Sequence, residues 1–368
     1  MTPASEATNE FASRMETTHS LHVRDSRDLS IIADDSVDLV VTSPPYPMID
    51  IWDEMFADLD PAIGRALQNG DGRTAFNRMH DVLSGVWDEL QRILVPGGVA
   101  CINIGDATRR VDDHFEKYAN AARINRDLVD RGFTALPDIL WHKPSNSAAK
   151  FMGSGMLPPN AYVTLEHEFI LLFRNGTIRR SFEPGADRRY EAAYFWEERN
   201  RWFTDLWTDI RGPDQSLADA GERSRSAAFP LEIPFRLITM YSAYGDTVLD
   251  PFCGTGTTTM AAMVGARNSI GVDADGELIE GFDSRVDRAP QLAHTRGIDR
   301  LKSHEQFVAE HRAAGGDFQY AMEHYDLPVK TKQERRIRLY EIADVSATAN
   351  EYRVDHVSID EPPNPQDD

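Results

Sequence analysis

Cysteine is almost missing from this chain: Cys101 and Cys253 are the only two, and they form no C-x-x-C pair. That argues against a disulfide scaffold and a cysteine-ligated zinc site, so no metal ligand set is expected, and it fits a reducing, cytoplasmic setting. No apolar run approaches the ~18 residues that a membrane-spanning helix needs. The polar opening MTPASEATNEFASRMETT lacks the apolar segment of a secretory signal. Lysine is scarce as well, 6 of the 39 cationic residues, whereas aspartate supplies 37 of the 60 acidic ones and the net charge is −21. So acidic a surface ordinarily repels polyanions. In molar salt, however, the Debye length falls to about 3 Å and net charge says little about partners. The aspartate-rich, lysine-poor balance therefore suggests adaptation to a salty cytoplasm, with an ordinary acidic protein that avoids nucleic acid as the alternative.

What is present alternates between helix and strand periodicity. Residues 74–94 place Phe76, Met79, Val82, Leu83, Val86, Trp87, Leu90, Ile93 and Leu94 at helical spacing. VPGG stops that helix and VACINIG (99–105) reads as a buried strand. A second helix is expected over 115–131, then strands in ALPDILWHK and EHEFILLFRNG. PFRLITMYSA and TTTMAAMVGA read as helices, DTVLD and NSIGVD as strands. Such alternation means a mainly parallel sheet covered on both faces. Two stretches break the rhythm. Ile139 to Leu165 carries no acidic residue but holds His142, Lys143 and Lys150. Residues 174–201 carry seven arginines, among them Arg179, Arg180, Arg188 and Arg189, interleaved with Phe182, Tyr190, Tyr194, Phe195 and Trp196. Beyond 298 come a polar helix, the basic cluster KTKQERRIR and a hairpin through SATAN.

Two short motifs carry chemistry. VDLVVT leads into Ser43-Pro44-Pro45-Tyr46, where paired prolines end ladder pairing and stiffen the backbone. Taken alone this is a strand stop; at the carboxyl end of a strand in an open α/β sheet it is also where such folds keep their sites. DTVLDPFCGTGTTTMAAM ends a strand at Asp250 and opens a helix through Gly254 and Gly256. This is neither a Walker loop, since no lysine follows, nor G-x-G-x-x-G. About 20 residues on, Asp273 closes a second strand, placed to accept the hydroxyls of a ribose. Strand-end acid, F-x-G-x-G and second strand-end acid together point to a nucleoside-type cofactor.

In this order the motifs resemble the S-adenosylmethionine-dependent amino-methyltransferases that act on nucleic-acid bases. The similarity is to their permuted beta arrangement, in which an SPPY-type motif precedes F-x-G-x-G. HVRDS, LVPGGVACINIGD, ILWHKP, EHEFILLF and AAFPLEIPFRLI resemble further blocks of that family, over roughly residues 20–290. The resemblance implies a Rossmann-like methyltransferase fold: a mainly parallel seven-stranded sheet, helices on both faces, permuted motif order and small recognition insertions. It implies a methyltransferase domain (19–297); the polar N-terminus (1–18) reads as unstructured, and an accessory segment (298–368) with an acidic tail lies outside the resemblance. Within the domain it places a catalytic half at 19–145, recognition insertions at about 146–206 and a cofactor half at 207–297.

Ser43, Pro44, Pro45 and Tyr46 are then catalytic. Asp25 meets the adenine and Phe229 lies beside the methionine moiety. Asp250, Phe252, Gly254, Gly256, Thr257 and Asp273 complete the cofactor site. His142, Lys143, Lys150, Arg179, Arg180, Arg188 and Arg189 are candidates for contacting DNA. Serine at the head of the motif is typical of cytosine-N4 enzymes, and aspartate or asparagine of adenine-N6 enzymes. Cytosine C5 chemistry would need a cysteine nucleophile, and both cysteines read as packing residues. The alternatives are N4 methylation of structured RNA, adenine-N6 methylation of DNA and an inactive binding protein. The sequence names neither the target site nor the oligomeric state, and leaves a restriction endonuclease partner open. If the acidic surface is a salt adaptation, the melting temperature rises as potassium chloride goes from dilute to molar, because screening relieves self-repulsion; a flat or falling curve would remove that reading.

Overall fold

The computed structural model describes residues 14–143, 152–153, 157–211 and 229–359. Its strands in chain order are β1 (Arg14–Val23), β2 (Val37–Thr42), β3 (Leu94–Ile104), β4 (Ala107–Val111), β5 (His114–Tyr118), β6 (Phe133–Ala135), β7 (Ile139–His142), β8 (Met152–Gly153), β9 (Ala161–Tyr162), β10 (His167–Asn175), β11 (Leu206–Trp207), β12 (Thr247–Asp250), β13 (Asn268–Asp273), β14 (Tyr320–Ala321), β15 (Pro328–Val329), β16 (Tyr340–Thr348) and β17 (Glu351–Ser358). One large sheet has the order β11-β7-β10-β3-β2-β12-β13-β1-β17-β16, with β6 alongside β10. From β3 through β1 the neighbours are parallel, and β10 runs against both β3 and β7. The expected run from β7 to β1 is thus present, widened at both ends.

Alternation explains why both faces are covered. Ala100, Ile102 and Ile104 of β3 point into one core and Cys101 into the other, as Val40 and the pair Leu39, Val41 do on β2. The first core is closed by the helix Gly72–Ile93, whose buried face includes Met79, Leu83, Val86, Trp87 and Leu90. Asp71 caps that helix, accepting from the Thr74 amide at 3.0 Å. The second core is closed by the helices Glu232–Tyr241 and Thr257–Val264, the latter so apolar that every residue from Thr258 to Val264 is buried.

Several expectations need correcting. Residues 115–118 belong to the β4–β5 hairpin, and the helix there is only Asn120–Asp130. Strand β1 begins at Arg14, inside the stretch expected to be unstructured. The boundary near 297 falls within one continuous helix, Ala289–Ala313. The hairpin through Ala349 and Asn350 does form, but β17 pairs antiparallel with β1 and so extends the central sheet. Three arginines of the basic cluster pair with acids, Arg335 with Glu323, Arg336 with Asp187 and Arg338 with Glu191, and Lys330 meets His311.

The β17–β1–β13 junction encloses a polar chain. Thr17 Oγ1 lies 2.9 Å from His19 Nε2 and 2.8 Å from His356 Nε2, and His19 Nδ1 is 2.8 Å from Ser269 Oγ. Burial lowers the pKa of His19 from 6.5 to about 3 and that of His356 to about 4, His356 itself adding to the shift at His19. His80, on the buried face of the helix Gly72–Ile93, is lowered to about 3 by burial despite its bond to Asn120. All three fold as neutral rings. Below pH 6.5 the unfolded chain therefore takes up protons that the folded one refuses, and each histidine removes up to about 1.4 kcal/mol of stability per pH unit. Asp250, whose pKa is raised to about 6 on burial, offsets one of them. The melting temperature is expected to be several degrees lower at pH 5 than at pH 7; scanning calorimetry finding it equal or higher would contradict the neutral histidines.

Candidate active site

Strands β2 and β12 are neighbours in the sheet although Thr42 and Asp250 lie 208 residues apart in the chain. From β2 the chain crosses to β3 on one side; from β12 it crosses to β13 on the other. A crevice opens where the direction of winding reverses, outside the carboxyl ends of the strands. There Ser43-Pro44-Pro45 faces the glycine turn Pro251–Gly256 across a cavity of ≈ 620 Å³.

Asp250 ties the two motifs together. Its Oδ1 accepts from Thr42 Oγ1 at 2.7 Å and from the Phe252 amide at 3.0 Å, and its Oδ2 accepts from Thr258 Oγ1 at 2.7 Å. Burial raises its pKa to about 6, and these three donors work in the opposite direction. It touches the cavity wall, but its hydrogen bonds make it chiefly the clamp that shapes the site. Gly254 and Gly256 both have left-handed backbones, with φ of 52° and 82°. They differ in surroundings: a Cβ on Gly256 would lie 2.2 Å from the Phe282 ring, whereas one on Gly254 would meet nothing within 4 Å. Asp273 Oδ2 accepts from the Gly254 amide at 2.7 Å and Oδ1 from the Asp275 amide at 3.0 Å. Burial raises the pKa of Asp273, and its backbone donors lower it. Asp25, Phe229, Phe252, Thr257 and Asp273 all line the cavity. Asp25 is also held by Arg27, Oδ2 to Nη2 at 2.6 Å, and that hydrogen bond is the main reason its pKa is lowered.

Of the four motif residues, Ser43, Pro44 and Pro45 line the cavity; Tyr46 is not among its lining residues. Its hydroxyl donates to Glu168 Oε2 at 2.9 Å and accepts from Asn103 Nδ2 at 2.8 Å and from Ser43 Oγ at 3.2 Å. Burial, then the adjacent Glu168, pushes the pKa of Tyr46 well up, so it stays a neutral phenol. The turn that follows is held by Asn120 Nδ2, which donates to the carbonyls of Pro47 at 3.1 Å and Gly105 at 2.9 Å. Met48 there is a buried non-glycine residue at φ 68°, a strained conformation of the kind that clusters near functional sites. Asn103, Asn120 and Glu168 escaped the sequence reading. The available signal was polar side chains inside the apolar runs VACINIG and EHEFILLF.

The arginine–aromatic segment is not at this site. Because β10 runs opposite to β3, Arg174 sits beside Val99, and the chain leaves the sheet at the amino-terminal edge of the parallel strands. Arg180 there is paired with Asp246 (2.7 and 2.9 Å) and Asp38 (3.1 Å), and Arg188 with Asp246 at 2.7 Å. Arg180, Arg188 and Arg189 also surround the Phe182 ring at 4.8, 5.2 and 5.0 Å. Arg179 is exposed on the same far edge, and Phe195 is fully buried. Arg180 and Arg188 are thus engaged in ion pairs within the fold, at the edge of the sheet opposite the cavity. By contrast, β7 ends and β10 begins at the carboxyl edge of the parallel strands, so the connection between them, free of acids until Glu166, leaves and returns on the side of the cavity. His142, half-buried, and Lys143 stand at its start, with Lys143 Nζ 2.7 Å from Glu168 Oε1. Lys150 lies outside the described residues. Both thiols are buried with pKa values pushed up by burial, and so are not poised as nucleophiles. Among the described residues no cluster of acidic, histidine and cysteine side chains could hold a metal, and no helix is long and apolar enough to cross a membrane.

Comparison with known proteins agrees with this geometry. The N6/N4 methyltransferase family, described as DNA methylase, matches residues 37–283. The type II methyltransferase M.MthZI of Methanothermobacter thermautotrophicus is 47% identical over 329 residues, covering 89% of this chain and 91% of that protein. M.MjaI of Methanocaldococcus jannaschii is 50% identical over 281 residues, 73% of this chain and 91% of the other. A candidate DNA modification methylase of Thermus thermophilus, solved with S-adenosyl-L-methionine, is 32% identical with a TM-score of 0.58, over 74% of this chain and 94% of that one. The chain belongs to the N6/N4 DNA methylase family: it is a DNA methyltransferase whose cofactor is S-adenosylmethionine. The cavity fits that group, because the glycine turn leaves open space at Gly254 beside the carboxylate of Asp273.

The two glycines separate fold from binding. Gly256→Ala forces a methyl into the Phe282 ring and is expected to cost roughly 2 kcal/mol or more of stability. Gly254→Ala is expected to cost about 1 kcal/mol for its positive φ while weakening S-adenosylmethionine binding several-fold. Thermal unfolding and calorimetry on both variants check this; equal effects on stability would contradict the described packing.

Proposed function

We propose that the enzyme transfers a methyl group to the exocyclic N4 amine of cytosine in DNA. The observation that carries this reading is Ser43 on the cavity wall, a compact hydroxyl at the head of the motif where a carboxylate or amide is usual in the adenine enzymes of the family it resembles. An exocyclic amine is a weak nucleophile because its lone pair is conjugated into the ring. Acceptors that draw its two protons localise that pair as the transition state forms. Ser43 Oγ and the Pro44 carbonyl are those acceptors, and Pro45 keeps the carbonyl rigid. Bound S-adenosylmethionine supplies a methyl group already activated by its sulfonium.

In the same reading Asp273 receives the ribose hydroxyls on lone pairs that the Gly254 and Asp275 amides leave free. Asp25 stands at the adenine, Phe229 beside the methionine, and Gly254 and Thr257 give backbone access at the helix start. The target base leaves the duplex to reach Ser43. The acid-free connection after β7, with His142, Lys143 and Lys150, meets the DNA, since its lack of carboxylates avoids repelling phosphates. The type II relatives support a modification enzyme paired with a restriction endonuclease that reads the same site.

Incubation with labelled S-adenosylmethionine and unmethylated DNA, followed by nucleoside mass analysis, is expected to yield N4-methylcytosine. Ser43→Ala is expected to slow transfer roughly tenfold or more, a loss of at least about 1.4 kcal/mol in transition-state stabilisation. N6-methyladenine as the main product would overturn the cytosine assignment and keep the acceptor chemistry. Label entering only RNA would move the substrate to structured RNA, and no transfer to either would leave a binding protein.

A further inference from the structure

We infer that Glu168 is a positioning residue: it fixes the direction of the hydrogen bonds that end at Ser43, so that the serine oxygen meets the target amine as an acceptor. This rests on the reading of Ser43 given above. Tyr46 Oη, Asn103 Nδ2 and Glu168 Oε2 form a closed triangle with sides of 2.8, 2.7 and 2.9 Å, and Lys143 holds the other carboxylate oxygen at 2.7 Å. A carboxylate paired with lysine can only accept, so both of its neighbours in the triangle must donate. That aims the single Tyr46 proton at Glu168 and turns the Asn103 amide with its nitrogen inward. The phenol oxygen then has lone pairs only, and Ser43, 3.2 Å away, must give its proton to Tyr46. Both lone pairs of Ser43 are left for the cavity.

Burial and packing make this arrangement difficult to reverse. Asn103 is buried with its Oδ1 unpartnered. Turning its amide would set that oxygen against the Glu168 carboxylate, acceptor against acceptor. Gly105 gives the ring its seat: a Cβ there would stand 3.1 Å from the Tyr46 ring and 3.4 Å from Glu168 Cγ. The Glu168 side chain is only 12% exposed, so water cannot readily replace it as acceptor. With a neutral amide in its place the constraint lapses, because a glutamine side chain could present its own nitrogen to Tyr46. The phenol proton would then turn to Ser43, the serine would donate toward the cavity, and its oxygen would oppose the amine proton it should receive.

The test is single-turnover methyl transfer to fragmented unmethylated genomic DNA by wild type, Glu168→Gln, Ser43→Ala and the double variant. Glu168→Gln is expected to slow transfer about tenfold, with the KM for DNA and the calorimetric affinity for S-adenosylmethionine within about twofold of wild type. On the Ser43→Ala background the same change is expected to cost less than about twofold, since no serine hydroxyl remains to orient. Tyr46→Phe, which keeps the ring and removes the link, is expected to reproduce both results if Glu168→Gln proves unstable. Wild-type rates in Glu168→Gln, a loss confined to KM, or the same loss on both backgrounds would overturn the inference and leave Ser43 as acceptor. A silent Ser43→Ala would overturn the acceptor reading and this inference with it.

Discussion

A buried carboxylate between two strands organises the molecule. Asp250 sits at the end of β12 and receives donors from Thr42 at the end of β2, from its own turn at Phe252, and from Thr258 in the following helix. Each half of the chain brings one reactive segment to the carboxyl edge of the sheet. Parallel strands alone would leave their relative heights loosely fixed. A carboxylate with three donors in an apolar interior fixes them tightly, because losing any one of the three leaves a buried polar group unsatisfied. The glycine turn, the proline pair and the cavity between them all take their positions from that clamp.

Strand direction then decides what else can reach the cavity. Antiparallel β10 starts at the catalytic edge with Glu168 and ends at the opposite edge with the arginine-rich segment. One reversal therefore places an acidic residue behind Ser43 and Tyr46 and removes a basic, aromatic stretch from them. The far-edge arginines answer another need. Asp246 is completely buried at the start of β12, and Arg180 and Arg188 neutralise it. A buried carboxylate without such partners would be strongly destabilising.

The C-terminal region belongs to the same body. β17 covers the edge that β1 would otherwise expose, and the helix Ala289–Ala313 packs across the second core, where Ala289 and Ala293 are buried. Covering an open strand edge removes a site for unwanted pairing. The neutral histidines at that junction, bonded through Thr17 and Ser269, let polar side chains be buried there without a charge.

Much of this was legible in the residues. Periodicity at 74–94 and the apolar segments PFRLITMYSA and TTTMAAMVGA marked the main helices, since a buried helix face imposes a spacing that survives in sequence. Proline and glycine marked the two reactive turns, because few residues tolerate those backbones, and their order along the chain pointed to the permuted fold. The places of Cys101 in an apolar strand and Cys253 in the glycine turn read as packing positions, and both residues are buried. Other features depend on residues distant in sequence and adjacent in space. The arginines of 174–201 leave the sheet at the edge opposite the cavity because β10 is antiparallel, and a strand's direction is not written in its own residues. Glu168 and Asn103 left only a weak signal, a polar side chain inside an apolar run, and Asn120 at a helix start left none, since the role of each is set by what it faces in space. Local chemistry thus determined which segments react and which cofactor they suit; only strand order and direction decided which side chains stand behind Ser43 and Tyr46, because hydrogen bonds between strands bring together groups that no spacing along the chain relates.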